Sequence, residues 1–214
     1  MYHDEPLKSL QVELLLESSA REASHKRVLV LRTYSKLAVN ITSFFIVCTS
    51  IIMLVFASSL TPLGITVLGC ATIFATIYSM IVDNIENSKN YSEKCFRMER
   101  SSVAMKKLYD CLRQYEKGDT KIPFKQLQEE KSEIIEIYGA IYSITDHNYA
   151  KWLHREFLGE MGITLSGLEN AEKKYLASRY EVFLVYMIFP ATLLIGSFVY
   201  VMTSSLTVIV KEQT

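Results

Sequence analysis

Leu37–Val82 reads LAVNITSFFIVCTSIIMLVFASSLTPLGITVLGCATIFATIYSMIV, 46 residues without an Asp, Glu, Lys, Arg or His. A bilayer core about 30 Å thick takes roughly 20 apolar residues in a helix, so the run holds two spans. Near its middle sits Ser58-Ser59-Leu60-Thr61-Pro62-Leu63-Gly64. Pro62 lacks a backbone donor and Gly64 is conformationally permissive, which predicts a tight turn. The expected hairpin has one helix over residues 37–57 and a second over 63–82, each satisfying its own backbone polar groups. The alternative, a buried hairpin of a soluble protein, fits poorly, because the uncharged run far exceeds a core helix.

Outward from the hairpin, charge is segregated. The 214 residues carry 23 basic and 23 acidic side chains. A net charge near zero gives no sign of nucleic-acid binding. Charged residues fall in 1–36, 83–181 and 211–214, and an uncharged run over 182–210 separates the last two. The expected fold is therefore an all-α membrane protein. It comprises an amphipathic N-terminal helix (1–36), the hairpin (37–82), a cytoplasmic antiparallel helical region (83–181), a third apolar membrane helix (182–210) and a tail. The last apolar run is 29 residues long and interrupted by Pro190. About 43 Å of helix exceeds the hydrocarbon core, so this run tilts, kinks at Pro190 or keeps its first turns among headgroups. A placement in the membrane surface is the alternative.

Lys and Arg number 6 before the first span and 16 between Asp83 and Glu181, with none in the turn. The positive-inside rule places the N-terminus and the middle region in the cytoplasm. Arg27, Arg32 and Lys36 before the hairpin, with Lys89 and Lys94 after it, are the predicted topology anchors. The first residues are acidic and the apolar run starts late, so no signal peptide is expected.

Each span carries a small, weakly polar stripe. Asn40, Ser43 and Ser50, with Val47 between them, share one helix face. Gly69, Thr72, Thr76 and Ser79 follow at similar spacing and lead to Asp83. Two readings stand. Small and hydroxylated residues commonly mark membrane helix packing. In an oligomer, one stripe would line a water-filled path, with Asp83 and Glu86 as a cation-favouring inner mouth. Packing is the more ordinary reading of the stripes, and simple solvation that of the two carboxylates.

In the charged regions, Leu7, Leu10 and Leu14 with Val12, Leu15 and Leu16 form an apolar face of the first helix. Glu13, Glu17, Arg21 and Glu22 form its polar face. After the hairpin the helix is expected to continue as one rod to Lys117, with Tyr91, Cys95, Met98, Met105, Leu108 and Leu112 on its apolar side. Gly118–Pro123 breaks it. A second helix over 124–145 uses Leu127, Ile134, Ile135, Ile137, Tyr138 and Ile141 and packs antiparallel. A turn follows, containing Asp146, His147 and Tyr149, a structural or regulatory candidate. A short helix to about Glu160 comes next, and Ser166 with Glu169 fits a capping box for the last helix.

No catalytic, cofactor or metal site is expected. Cys48, Cys70, Cys95 and Cys111 form no CxxC pair, His3, His25, His147 and His154 are scattered, and no nucleotide-loop or hydrolase motif is present.

The layout resembles the SLATT group, the SMODS- and SLOG-associating two-transmembrane effector domains of prokaryotic conflict systems. The resemblance covers about Leu14 to Trp152. It rests on the basic amphipathic helix, the tight hairpin, the helix with Tyr91, Met98 and Leu108-Tyr109, and Tyr138-x-x-x-Tyr142 followed by Asp146-His147-Asn148-Tyr149. It implies a pore-forming effector that permeabilises the bacterial inner membrane and stops growth of an infected cell. It also implies a partner from a neighbouring gene: a nucleotide-signal synthetase, a nucleotide sensor or a reverse transcriptase. No catalytic residue carries over, and the third apolar run departs from a two-span pattern. The leading expectation is a homo-oligomeric membrane effector. The second is a non-conducting anchor or adaptor that docks a cytoplasmic partner. A membrane enzyme, with Asp146 or His147 as its starting point, ranks last.

Overall fold

The computed structural model describes residues 4–58, 60–116, 124–139, 142–163, 167–188, 190–192, 194–200 and 203. The elements are α1 (Asp4–Val55), α2 (Pro62–Lys89), α3 (Tyr91–Glu116), α4 (Phe124–Tyr138), α5 (Ile144–Leu153), α6 (Arg155–Glu160) and α7 (Ala171–Phe183). A π-helical segment, Leu184–Ile188, follows α7. Helix resumes over 190–192 and 194–200, and no strand occurs among the described residues. The expected all-α membrane fold is the one observed. Three helices are long and apolar enough to cross a membrane: Pro6–Val55, Pro62–Tyr115 and Ala171–Tyr200.

The chain divides into two compact units, one spanning residues 1–30 and 91–179 and the other 31–90 and 180–214. The first unit is built around the start of α1. Leu10 and Leu14 are buried with Met105, Leu108 and Leu112 of α3 and Leu127 of α4. On another side of α1, Leu16 and Ala20 meet Ala150 of α5 and Leu158 of α6. All six residues expected on the apolar side of α3 are buried, while Lys94, Arg97, Arg100, Lys106 and Lys107 are exposed. α4 runs antiparallel to α3: Arg97 near the start of α3 donates to the Ile137 carbonyl near the end of α4, at 3.4 Å. Ile137, expected in the apolar face, is exposed.

Two expectations are corrected here. The helix predicted over 124–145 stops at Tyr138, and Gly139 takes a left-handed φ of 70° that favours glycine. A new helix then starts behind Ser143. The rod predicted from the second span to Lys117 is interrupted by Asn90, a left-handed cap with φ 46° and ψ 53°. Asparagine tolerates this region better than most residues. The break predicted at 118–123 and the Ser166 cap lie outside the described residues.

The second unit contains the hairpin and the third apolar stretch. Thr61 caps α2 by accepting from the Gly64 amide at 3.1 Å, with Pro62 in the first helical position. Buried Gly64, Leu68, Ala71 and Ala75 recur along α2, and buried Ser35, Ala38, Thr42 and Thr49 along α1. Small side chains let membrane helices approach closely. Ala38, Val82 and Tyr186 bring α1, α2 and the π segment together. Outside this seam the surface is oily: Phe44 is 72% exposed, Leu54 82% and Met80 66%. That exposure suits a helix whose solvent is lipid.

Candidate functional site

Two polar arrangements stand out, one in each unit. In the membrane hairpin, the Thr49 and Thr72 hydroxyls meet across the two helices at 3.0 Å. Thr49 Oγ1 also lies 2.9 Å from the Phe45 carbonyl and Thr72 Oγ1 2.8 Å from the Leu68 carbonyl, so one hydroxyl donates across the pair while the other donates to its own helix. Thr72 is thus a packing contact. Thr49, its partner, was not singled out from the sequence. It lies at helical spacing from Ala38 and Thr42, so the signal was present on a face adjacent to the one chosen.

The predicted α1 stripe points elsewhere. Asn40, Ser43, Val47 and Ser50 are exposed, and the Ser50 hydroxyl turns back onto the Ile46 carbonyl at 2.7 Å. On α2, Thr76 is exposed and donates to the Thr72 carbonyl, while Gly69 and Ser79 are half-buried. The two predicted stripes are therefore not a single lining within one chain.

The predicted inner-mouth carboxylates differ from each other. Asp83 is exposed and accepts from the Asn87 amide at 3.3 Å. Glu86 is tied to α1, accepting from Ser35 Oγ at 3.1 Å with Lys36 Nζ at 3.9 Å. Lys89 and Lys94 are exposed and Arg32 is half-buried. Lys89 lies in the last turn of α2, where a cation complements the helix dipole.

The second arrangement centres on α5. Asp146 is wholly buried. Arg27 holds it with two bonds, Nε to Oδ1 at 3.1 Å and Nη2 to Oδ2 at 2.9 Å. Ser143 adds its amide at 2.9 Å and its hydroxyl at 2.8 Å to Oδ2. The Asp146 amide donates back to Ser143 Oγ, which completes a capping box. Asp146, His147 and Tyr149, expected in a turn, thus lie on a helix, and Arg27 is committed to α5. Tyr149 stacks on Tyr175, with ring centroids 4.1 Å apart, and the Tyr175 hydroxyl donates to the Ala23 carbonyl at 2.9 Å.

Arg21, expected on the polar face of α1, is 1% exposed. It pairs with Glu17 at 3.2 Å and its guanidinium lies 5.8 Å from the Tyr142 ring centroid. Tyr142 in turn stacks on His147, centroids 5.8 Å apart. Burial raises the Tyr142 pKa and lowers that of His147, the latter helped by nearby Lys151. Burial also lowers the pKa of His154, whose Nε2 lies 2.7 Å from Ser19 Oγ. Among the described residues, Arg21 Nη1, Ser24 Oγ and His147 Nδ1 are enclosed without a hydrogen-bond partner. Each such atom costs about 1–3 kcal/mol, so this interface keeps unspent bonding capacity. No group of His, Cys, Asp and Glu among the described residues is arranged to hold a metal.

A family model described as SMODS and SLOG-associating 2TM effector domain family 5 matches residues 3–208. The match is wider than the resemblance read from the hairpin and its following helices, and it takes in the third apolar stretch. No curated protein and no solved structure matches the chain.

Proposed function

Because the chain belongs to the SMODS and SLOG-associating 2TM effector domain family 5, we propose that this multi-pass membrane protein is an oligomeric pore-forming effector of a prokaryotic anti-phage or conflict system. When triggered, it permeabilises or depolarises the inner membrane and stops the growth of the infected cell. The observation that supports assembly is the outward face of α1. Asn40, Ser43 and Ser50 are exposed in the single chain, at positions where lipid would be their neighbour. A carboxamide has two N–H donors and an acceptor, and turning it to hydrocarbon is costly. Copies arranged about an axis turn these faces toward one another or toward water.

In this reading the N-terminus and the charged unit lie in the cytoplasm, as the basic residues flanking the spans argue. The family description associates it with SMODS and SLOG, which supports a trigger from a neighbouring partner. The buried α1–α5 interface, with the unpartnered polar atoms Arg21 Nη1 and His147 Nδ1, is the place for such a signal to act. No residue is given a catalytic role.

The test is potassium efflux from bacteria that carry this chain and its neighbouring genes, measured after phage challenge. The native chain is expected to give efflux. The triple variant Asn40→Leu, Ser43→Leu, Ser50→Leu is expected to give none while still cross-linking into the same membrane assembly. Efflux that survives the triple substitution makes the face a packing surface. Absence of efflux from the native chain overturns the pore in favour of an anchor.

A further inference from the structure

Between the hairpin and the third apolar stretch lies an apolar cavity of about 280 Å³. Its floor is buried: Thr42 of α1, Ala75 of α2, and Pro190 and Leu194 of the third stretch. Its rim is α2, where Phe74, Ile77 and Ile81 are 61%, 49% and 53% exposed. The rim residues stand at steps of three and four, so the recess runs along the helix axis for about 10 Å. A helix that crosses a bilayer sets that axis close to the direction of the lipid chains.

Both hydroxyls of the lining are engaged. Thr42 donates to the Ala38 carbonyl at 2.7 Å, and the Tyr78 hydroxyl lies 3.3 Å from the Val185 and Tyr186 carbonyls. Water finds no partners in such a space and does not stay there. Left empty, the walls forfeit dispersion contacts on one side. An apolar cavity of about 150 Å³ binds a benzene ring, so this one has room for roughly ten hydrocarbon carbons. It is too small for a helix, whose diameter with side chains is about 10–12 Å. A narrow, apolar recess open to the bilayer along its rim fits one molecule abundant there, a phospholipid acyl chain.

We propose that the recess between α2 and the third membrane helix binds one phospholipid acyl chain. Ile81 is two residues and Phe74 nine residues before Asp83. The recess thus lies about 3–14 Å along α2 from that charge, within one leaflet of a core about 30 Å thick. The chain belongs to the leaflet at which α2 reaches Asp83. It fills the space beside Leu194 and packs the third helix against the hairpin. The inference goes beyond the pore reading and holds whether or not assembled chains conduct.

The test uses the full chain in nanodiscs of phosphatidylethanolamine and phosphatidylglycerol that include a phospholipid with a diazirine in mid-chain. After illumination, lipid adducts are located by mass spectrometry of the digested protein. Ile73 and Met80 serve as the comparison. Each lies one position from a rim residue, so at nearly the same depth, but on another face of α2. They are 61% and 66% exposed, at least as open as the rim. Bulk-lipid contact alone labels them as heavily as Phe74, Ile77 and Ile81 and leaves buried Leu194 unlabelled. A bound chain labels the rim and Leu194 several-fold more than Ile73 and Met80. Equal or lower labelling of the rim and Leu194 overturns the site, because a side chain of this or a second copy then fills the space. Two separate substitutions put bulk into the recess, Leu194→Trp from its floor and Ile77→Trp from its exposed rim, where folding is less at stake. Each is expected to bring the labelling of Phe74 and Ile81 down to that of Ile73 and Met80. An excess that survives both substitutions overturns the site too.

Discussion

Asp146 and Arg27 illustrate how unequal two halves of an ion pair are. Asp146 is 0% exposed and Arg27 26%. Removing the arginine strands a buried carboxylate, whereas removing the acid's charge leaves a guanidinium that can turn toward water. Arg27→Met is therefore expected to cost about 3–5 kcal/mol, and Asp146→Asn, which keeps a side chain able to cap Ser143, less than half of that. Hydrogen exchange of the α5 amides in the full chain checks this: protection should fall by roughly two to four powers of ten for Arg27→Met. At Thr49 and Thr72 the stake is smaller. Interhelical hydrogen bonds in membranes average about 0.6 kcal/mol, so a double-mutant cycle with valine at both positions should return a coupling of that size. The Arg27–Asp146 pairing could not be read from the sequence, since 119 positions separate the two residues. Arg21 and Arg27 look like surface charges on a basic helix until residues more than a hundred positions away close over them.

At the level of the helix, α5 carries a pH dependence. His147 lies in it and His154 caps its end, and both imidazoles are held below their ordinary range by burial. The folded state therefore favours the neutral rings. Their contribution to stability is full above the ordinary imidazole value of about 6.5 and is lost as the pH falls below it, because unfolding then takes up protons that the folded rings refuse. Exchange protection over 144–160, corrected for intrinsic rates, should fall on going from about pH 7.5 to 5.5. Replacing His147 with Phe and His154 with Gln should flatten that change. The boundaries of α5 were legible in part. Gly139 is a helix stop and Ser143-x-x-Asp146 a helix start, but the apolar spacing runs through both and hides them. The apolar face of α3, by contrast, was legible, since Tyr91, Cys95, Met98, Met105, Leu108 and Leu112 recur at helical spacing and all six are buried.

For the whole molecule, the hairpin was legible because missing charges over 46 residues leave the chain few choices. Which face of each helix meets its neighbour was not, because Ala38-Thr42-Thr49 and Asn40-Ser43-Ser50 both fit helical spacing and only the partner helix distinguishes them. The proposed orientation is open to a direct check. With the native cysteines removed, Ser58→Cys in the turn should react with a membrane-impermeant maleimide in spheroplasts. Lys94→Cys should react only after they are lysed. The reverse pattern would invert the topology.

The absence of Asp, Glu, Lys, Arg and His from 37–82 and 182–210 has an electrical consequence. A transmembrane voltage does work only on charge that moves through it, about 2.3 kcal/mol per elementary charge for 100 mV. These spans carry no side-chain gating charge, so rearranging them, at Pro190 or elsewhere, couples weakly to the field. A pore built from them would not close as it discharged the membrane. Once opened from the charged side, it would have no voltage sensor with which to notice its own effect.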